Sequence, residues 1–166
     1  MKEPARMLRA SGKGDFQLED FLPFRLSVAS ENTSRIMTRH YLDQAGLGMA
    51  EWRLLAAVGL HGVLSPTAAG EHTAMDKVKV SRAAASLVAG GYVKQSQDPS
   101  DGRGRLLRLT RKGNTVYSGL PDMAQQLERL ILEGLTATDR ANLQKILLKL
   151  VDHTKTLLNG RDPDDA

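Results

Sequence analysis

The chemistry most plainly offered by this sequence is that of clustered cations. Between Lys77 and Lys112 it carries nine Lys or Arg against two acids, Asp98 and Asp101, a local excess of +7 in a chain of 166 residues whose formal net charge is only +4. Cations concentrated in one stretch suit phosphate oxygens. Lys77, Lys79, Ser81 and Arg82 fall near the start of a helical segment, from which they can reach phosphates and base edges in a DNA major groove. Arg103 and Arg105 follow glycine-containing turn residues, where a guanidinium can enter a narrow, electronegative minor groove. A charge run is also the ordinary solvated face of a soluble protein, so the elements that carry it decide its meaning.

Other chemistries lack their residues. With no cysteine there is no disulfide, thiolate metal site or cysteine nucleophile, and the four histidines (His40, His61, His72, His153) show no HxH or HExxH spacing. GxSxG, P-loop and Rossmann glycine patterns are absent. The reading is therefore a non-enzyme with no catalytic residue, no cofactor and no metal site. No apolar run approaches the roughly 18 residues of a membrane span, and Met1 to Gly14 lacks the apolar segment of a secretory signal. A soluble, cytoplasmic protein is expected.

The positioning elements can be read from periodicity and punctuation. Leu22, Leu26, Ala29, Thr33, Ile36 and His40 recur at steps of four and three, predicting a long helix to about Asp43 with Pro23 in its first turns. Gly46 and Gly48 break it. Met49 to Leu60 follows as a second helix, with Trp52, Leu55, Ala56 and Gly59 facing inward. Ser65-Pro66 starts a short helix to about His72. Lys77 to Ala89 forms the next, burying Val80, Ala84, Leu87 and Val88, and Gly90-Gly91 stops it. Tyr92–Gln97 and Arg105–Thr110 are strands separated by the turn cluster Asp98 to Gly104, a hairpin with a basic tip. Two helices close the chain, Lys112 to about Leu135 and Ala137 to about Leu158. Pro121 should kink or interrupt the first, and Thr136 with Asp139 forms a capping box for the second. The fold class is mainly α with a small β-hairpin wing: a winged helix-turn-helix between N- and C-terminal helices.

Three stretches carry a family resemblance. Met75-Asp-Lys-Val-Lys-Val-Ser-Arg82, the wing Asp98-Pro-x-Asp-x-Arg103 and the closing Leu109-Thr-Arg-Lys-Gly113 resemble the MarR family of transcriptional regulators, over roughly Phe16 to Leu158. The resemblance implies that Asp101 orients the wing, that Arg103 enters the minor groove, and that Lys77, Lys79, Ser81 and Arg82 lie on the recognition helix. Gly102 departs from the basic residue that many relatives carry there. It also implies a homodimer whose first and last two helices intertwine. The long apolar stripes on Leu22 to His40 and Leu143 to Leu157 agree, since a small winged domain alone would leave them exposed. The division expected is a flexible arm (1–14), an N-terminal dimerisation helix (15–45), the winged DNA-binding domain (46–111), C-terminal dimerisation helices (112–159) and a disordered tail (160–166). Two recognition helices about 34 Å apart would favour a pseudo-palindromic operator on double-stranded DNA.

In the resembling family a small effector binds where the dimerising helices meet the winged domain. Candidates are Arg25, Ser30 and His40 on the first helix and Trp52 and Arg53 on the second: arginine pairs a carboxylate and tryptophan stacks a ring. Each has a plainer role open to it. Trp52 suits the core and His40 an interface, while Arg53 can hold the helix to the wing or a phosphate and Arg25 can be solvated. Phe21-Leu-Pro-Phe-Arg25 with Glu51-Trp-Arg53 is similar to family members that control breakdown of plant-derived aromatic acids and respond to the acid or its coenzyme A thioester. A thioester's phosphates would need basic surface, which Arg6, Arg9 and Lys13 could supply. The expected function is a repressor released by such a ligand, a hydroxycinnamate-type acid or its thioester. The alternative is a winged-helix activator, or a regulator with a different effector.

Overall fold

The computed structural model describes residues 16–99 and 104–160, without the side chains of residues 41–45. The sequence division between Met49 and Ala50 separates two compact units.

The first unit is helical. A short turn, Leu18–Asp20, leads into α1, Leu22–Ala45, whose Pro23 lies in the opening turn where a missing N–H costs nothing. Gly46 ends α1 in the left-handed conformation that glycine adopts without strain (φ 64°). The stripe foreseen for α1 is graded: Leu22, Leu26 and Ala29 are exposed, whereas Thr33, Ile36 and His40 are half-buried.

The second unit carries the winged helix. Its helices are α2 (Met49–His61), α3 (Pro66–Thr73), α4 (Lys77–Ala89), α5 (Arg111–Ile131) and α6 (Ala137–Leu158), with strands β1 (Val93–Gln97) and β2 (Arg105–Leu109) between α4 and α5. Leu54, Leu55 and Val58 of α2, Val80 and Leu87 of α4, Val93 and Leu107 are fully buried, joined by Leu120 and Leu127 of α5. Ala83 and Ala84 are buried with Val80 and Leu87, but Val88 is exposed, contrary to expectation. It lies one residue, about 100°, beyond Leu87 and so rotates off the buried stripe. Likewise α2 buries Leu54, Leu55, Ala57 and Val58, while Trp52, Ala56 and Gly59 are half-buried.

Local chemistry fixes the boundaries. Ser65 Oγ accepts a hydrogen bond from the Ala68 N–H at 3.2 Å and Pro66 follows it, the expected start of α3. Ser65→Ala is therefore expected to cost about 1 kcal/mol of unfolding free energy, measurable by urea titration. The Thr136 hydroxyl accepts from Asp139 N–H at 3.1 Å while the Asp139 carboxylate accepts from Thr136 N–H at 3.1 Å, completing the capping box of α6.

β1 and β2 pair antiparallel from Val93↔Leu109 to Gln97↔Arg105. A backbone bridge extends this ladder: Leu64 N–H donates to Leu107 O at 3.2 Å and Leu107 N–H to Leu64 O at 2.8 Å. The hairpin is thus fastened to the segment between α2 and α3. α5 continues through Pro121 rather than ending there. α6 buries none of its residues. No described helix is long and apolar enough to cross a membrane.

Candidate nucleic-acid interface

The start of α4 is built by its cap. Asp76 is extended and its Oδ1 accepts the Lys79 N–H at 2.8 Å, so the following residues begin the helix with their side chains outward. Lys77, Lys79, Ser81 and Arg82 are all exposed within the first two turns. The cap also turns the helix's unpaired N–H groups toward the same end, which favours an anion there. Hydrogen bonding from the Lys79 backbone, opposed by slight desolvation, holds the Asp76 carboxyl below its ordinary range. Its charged form is favoured on folding, so the cap stabilises fully above the unfolded aspartate value and is lost as pH falls through the lower folded one. Asp76→Asn is expected to flatten the fall of the thermal midpoint as pH drops below the ordinary aspartate value of about 3.9, relative to wild type.

Sequence reasoning missed Val78, whose side chain is 58% exposed between Lys77 and Lys79. An apolar group on this face can meet a thymine methyl. The signal was available, since Val78, Arg82 and Ala85 recur at helical spacing.

The wing root is described and its tip is not. Asp101 and Arg103 lie outside the described residues. Asp98 N–H donates to Gly104 O at 2.9 Å, and Arg105 is exposed with its guanidinium donating to Gln95 Oε1 at 3.2 Å across the hairpin. Lys94 sits opposite Arg108, both exposed, a like-charge pair that costs stability in the absence of an anion. Only the register reveals that pair.

The candidate ligand residues divide between the units. In the first, Arg25 pairs with Asp20 at 2.8 Å and also donates to the Glu19 carbonyl, Ser30 is exposed and His40 half-buried. In the second, Trp52 and Arg53 line a pocket of about 400 Å³ between α2 and α3, with Ala56, Leu60, His61 and His72. The His61 and His72 rings stack with centroids 4.0 Å apart. Both were left without a role by the sequence, because eleven residues of separation form no recognisable motif.

The junction of α4, the hairpin and α5 is tight. Thr110 N–H donates to Tyr92 O at 2.9 Å, its hydroxyl donates to Gly91 O at 2.6 Å, and the same hydroxyl caps α5 by accepting Gly113 N–H at 3.1 Å. A Cβ on Gly113 would stand 2.0 Å from Tyr92 O. The Leu109–Gly113 motif is therefore a close backbone crossing.

Comparison with known proteins matches this architecture. Residues 45–104 match the MarR family model. The multiple antibiotic resistance protein MarR of Escherichia coli is 23% identical over 127 residues, 76% of this chain and 88% of that protein. Among solved structures, a mutant E. coli MarR complexed with operator DNA superposes with a TM-score of 0.71 at 23% identity, covering 78% of this chain and 92% of that one. Bordetella bronchiseptica BpsR, whose DNA binding is regulated by 6-hydroxynicotinic acid, gives 0.72 at 24% identity over 78% and 98%. The fold is the MarR winged helix-turn-helix with terminal helices, and the family match lies within its DNA-binding part, residues 45–104.

Proposed function

We propose that this chain is a MarR-type transcriptional regulator, a homodimeric repressor that binds a pseudo-palindromic operator in the cytoplasm and is released by a small aromatic acid or its coenzyme A thioester. The observation that carries the reading is the capped start of α4, with Lys77, Lys79, Ser81 and Arg82 exposed together on one helix end. In this reading residues 46–111 form the DNA-binding domain, Asp101 orients the wing, Arg103 and Arg105 reach the minor groove, and residues 15–45 and 112–159 pair the subunits. The exposed leucines of α6 support pairing, because a lone chain leaves that apolar face in water.

For the effector, the pocket beside Trp52 offers an apolar wall of Ala56 and Leu60 with the Arg53 cation at its edge. Those groups suit a planar ring bearing a carboxylate, and BpsR offers a parallel in its response to such an acid. On α1, Arg25, Ser30 and His40 are a separate set of candidates, Arg25 pairing a carboxylate by releasing Asp20. The pocket lies beside the C-terminal end of α3, immediately before the turn that sets α4. A ligand preferring a displaced α3 by about 1–3 kcal/mol would weaken operator binding roughly 5- to 150-fold.

A mobility-shift titration tests this with DNA from upstream of the protein's own gene, with and without hydroxycinnamic and benzoic acids and their thioesters. Specific binding relieved by one compound is the expected result. Specific binding that none disturbs removes the aromatic effector, and absence of specific binding removes the operator.

A further inference from the structure

Resting on the reading that α4 enters DNA, we propose that Lys112 is a positioning residue for operator recognition, holding the far end of the recognition helix at a fixed angle. Its Nζ donates to Gly90 O at 2.8 Å and lies 4.1 Å from the Tyr92 ring centroid. Gly90 caps the C-terminus of α4, where carbonyl dipoles converge and a cation is favoured. The Tyr92 ring in turn packs on Gly90 so closely that a Cβ there would meet it at 2.8 Å. Lysine ammonium, aromatic face and helix end thus form one stack at the start of α5.

The stack sits where the chain is otherwise easy to bend. Gly91 follows with φ +72°, a conformation open to glycine, so the Gly90-Gly91 pair is a natural pivot for α4. Thr110 and Gly113 lock the strand side of this pivot, the Tyr92 N–H ties the backbone to α4 by donating to Leu87 O at 2.9 Å, and Lys112 is the side chain that reaches across to the helix end. α4 has thirteen residues, about 20 Å of helix, so a 5° tilt at its C-terminal end moves its N-terminal side chains by about 1.7 Å. That exceeds the tolerance of a hydrogen bond to a base edge. The same length argues against a direct role, since Lys112 lies at the end of α4 opposite the capped one. Lys112 is exposed, so its contribution to folding is small and its contribution to geometry is the part that matters.

The test uses the full chain, an operator selected from a random-sequence duplex library and a scrambled duplex of equal length, with anisotropy titrations at several salt concentrations. Lys112→Met is expected to bind the operator about 5- to 10-fold more weakly. Its affinity for the scrambled duplex, and the slope of log affinity against log salt, should stay as in wild type. Lys112→Arg should recover most of the loss, and the thermal midpoint of either variant should move little. Equal weakening on both duplexes with a slope reduced by about one would make Lys112 a phosphate contact and overturn the proposal. Undiminished operator binding would overturn it too. If Lys112→Met proves unstable, Lys112→Gln is judged by the same two criteria. A wild-type chain that selects no sequence would sink the DNA reading itself, and this role with it.

Discussion

Gly113→Ala should be severely damaging for the addition of a single methyl group, lowering unfolding free energy by about 3 kcal/mol. The added Cβ would fall 2.0 Å from the Tyr92 carbonyl oxygen, against roughly 3.2 Å for contact, and a backbone atom cannot swing aside as a side-chain tip can. That carbonyl already accepts from Thr110 N–H, and the Gly113 N–H is itself capped by the Thr110 hydroxyl. Relief would require moving α5 away from the hairpin and breaking both bonds. Urea titration of the wild type and variant, followed by circular dichroism, measures the loss. A change under about 1 kcal/mol would mean the crossing is looser than its geometry states. Gly119, where an added Cβ would meet nothing within 4 Å, is the control in the same helix: Gly119→Ala should be neutral or mildly stabilising.

The second large effect concerns assembly. Ile146→Lys with Val151→Lys places two cations on the apolar side of α6, on side chains that are 60% and 51% exposed in the single chain. The subunit should therefore stay folded, with its helix content intact. If α6 pairs the subunits as proposed, light scattering should find a dimer for the wild type and a monomer for the variant, and operator affinity should fall by at least about 100-fold once the half-sites are no longer tethered. Lysine is the informative choice because extra positive charge by itself strengthens DNA binding. A loss can then be traced only to the missing partner. A dimer that survives both substitutions would remove α6 from the interface.

What was legible in the sequence was what nearby residues determine. Ser65-Pro66, the Thr136–Asp139 box and the Gly90-Gly91 stop are decided within a few residues, and the helices begin and end there. The turn cluster after Gln97 likewise announced the hairpin. Features requiring distant partners were not visible. The Leu64–Leu107 bridge joins backbones with no side-chain signature, and the histidine stack brings α2 and α3 ends together across eleven residues. Val88 shows the limit of periodicity near a helix end, where one step of rotation separates core from solvent. In the candidate interface the basic start of α4 was foreseen from residue types alone. The close approach that explains Gly113 was not, although the motif containing it was noticed.

Pro121 has a mechanical consequence. Because it has no N–H, the Tyr117 carbonyl one turn earlier loses its helical partner, and the ladder of α5 misses a rung at its middle. The N-terminal half of the helix is gripped by Gly113 and by Tyr117, whose ring covers Gly59 of α2. The other half leads toward α6. A rod with one missing rung flexes there at less cost than elsewhere, which gives α5 the character of a spring between the hairpin it is locked to and α6.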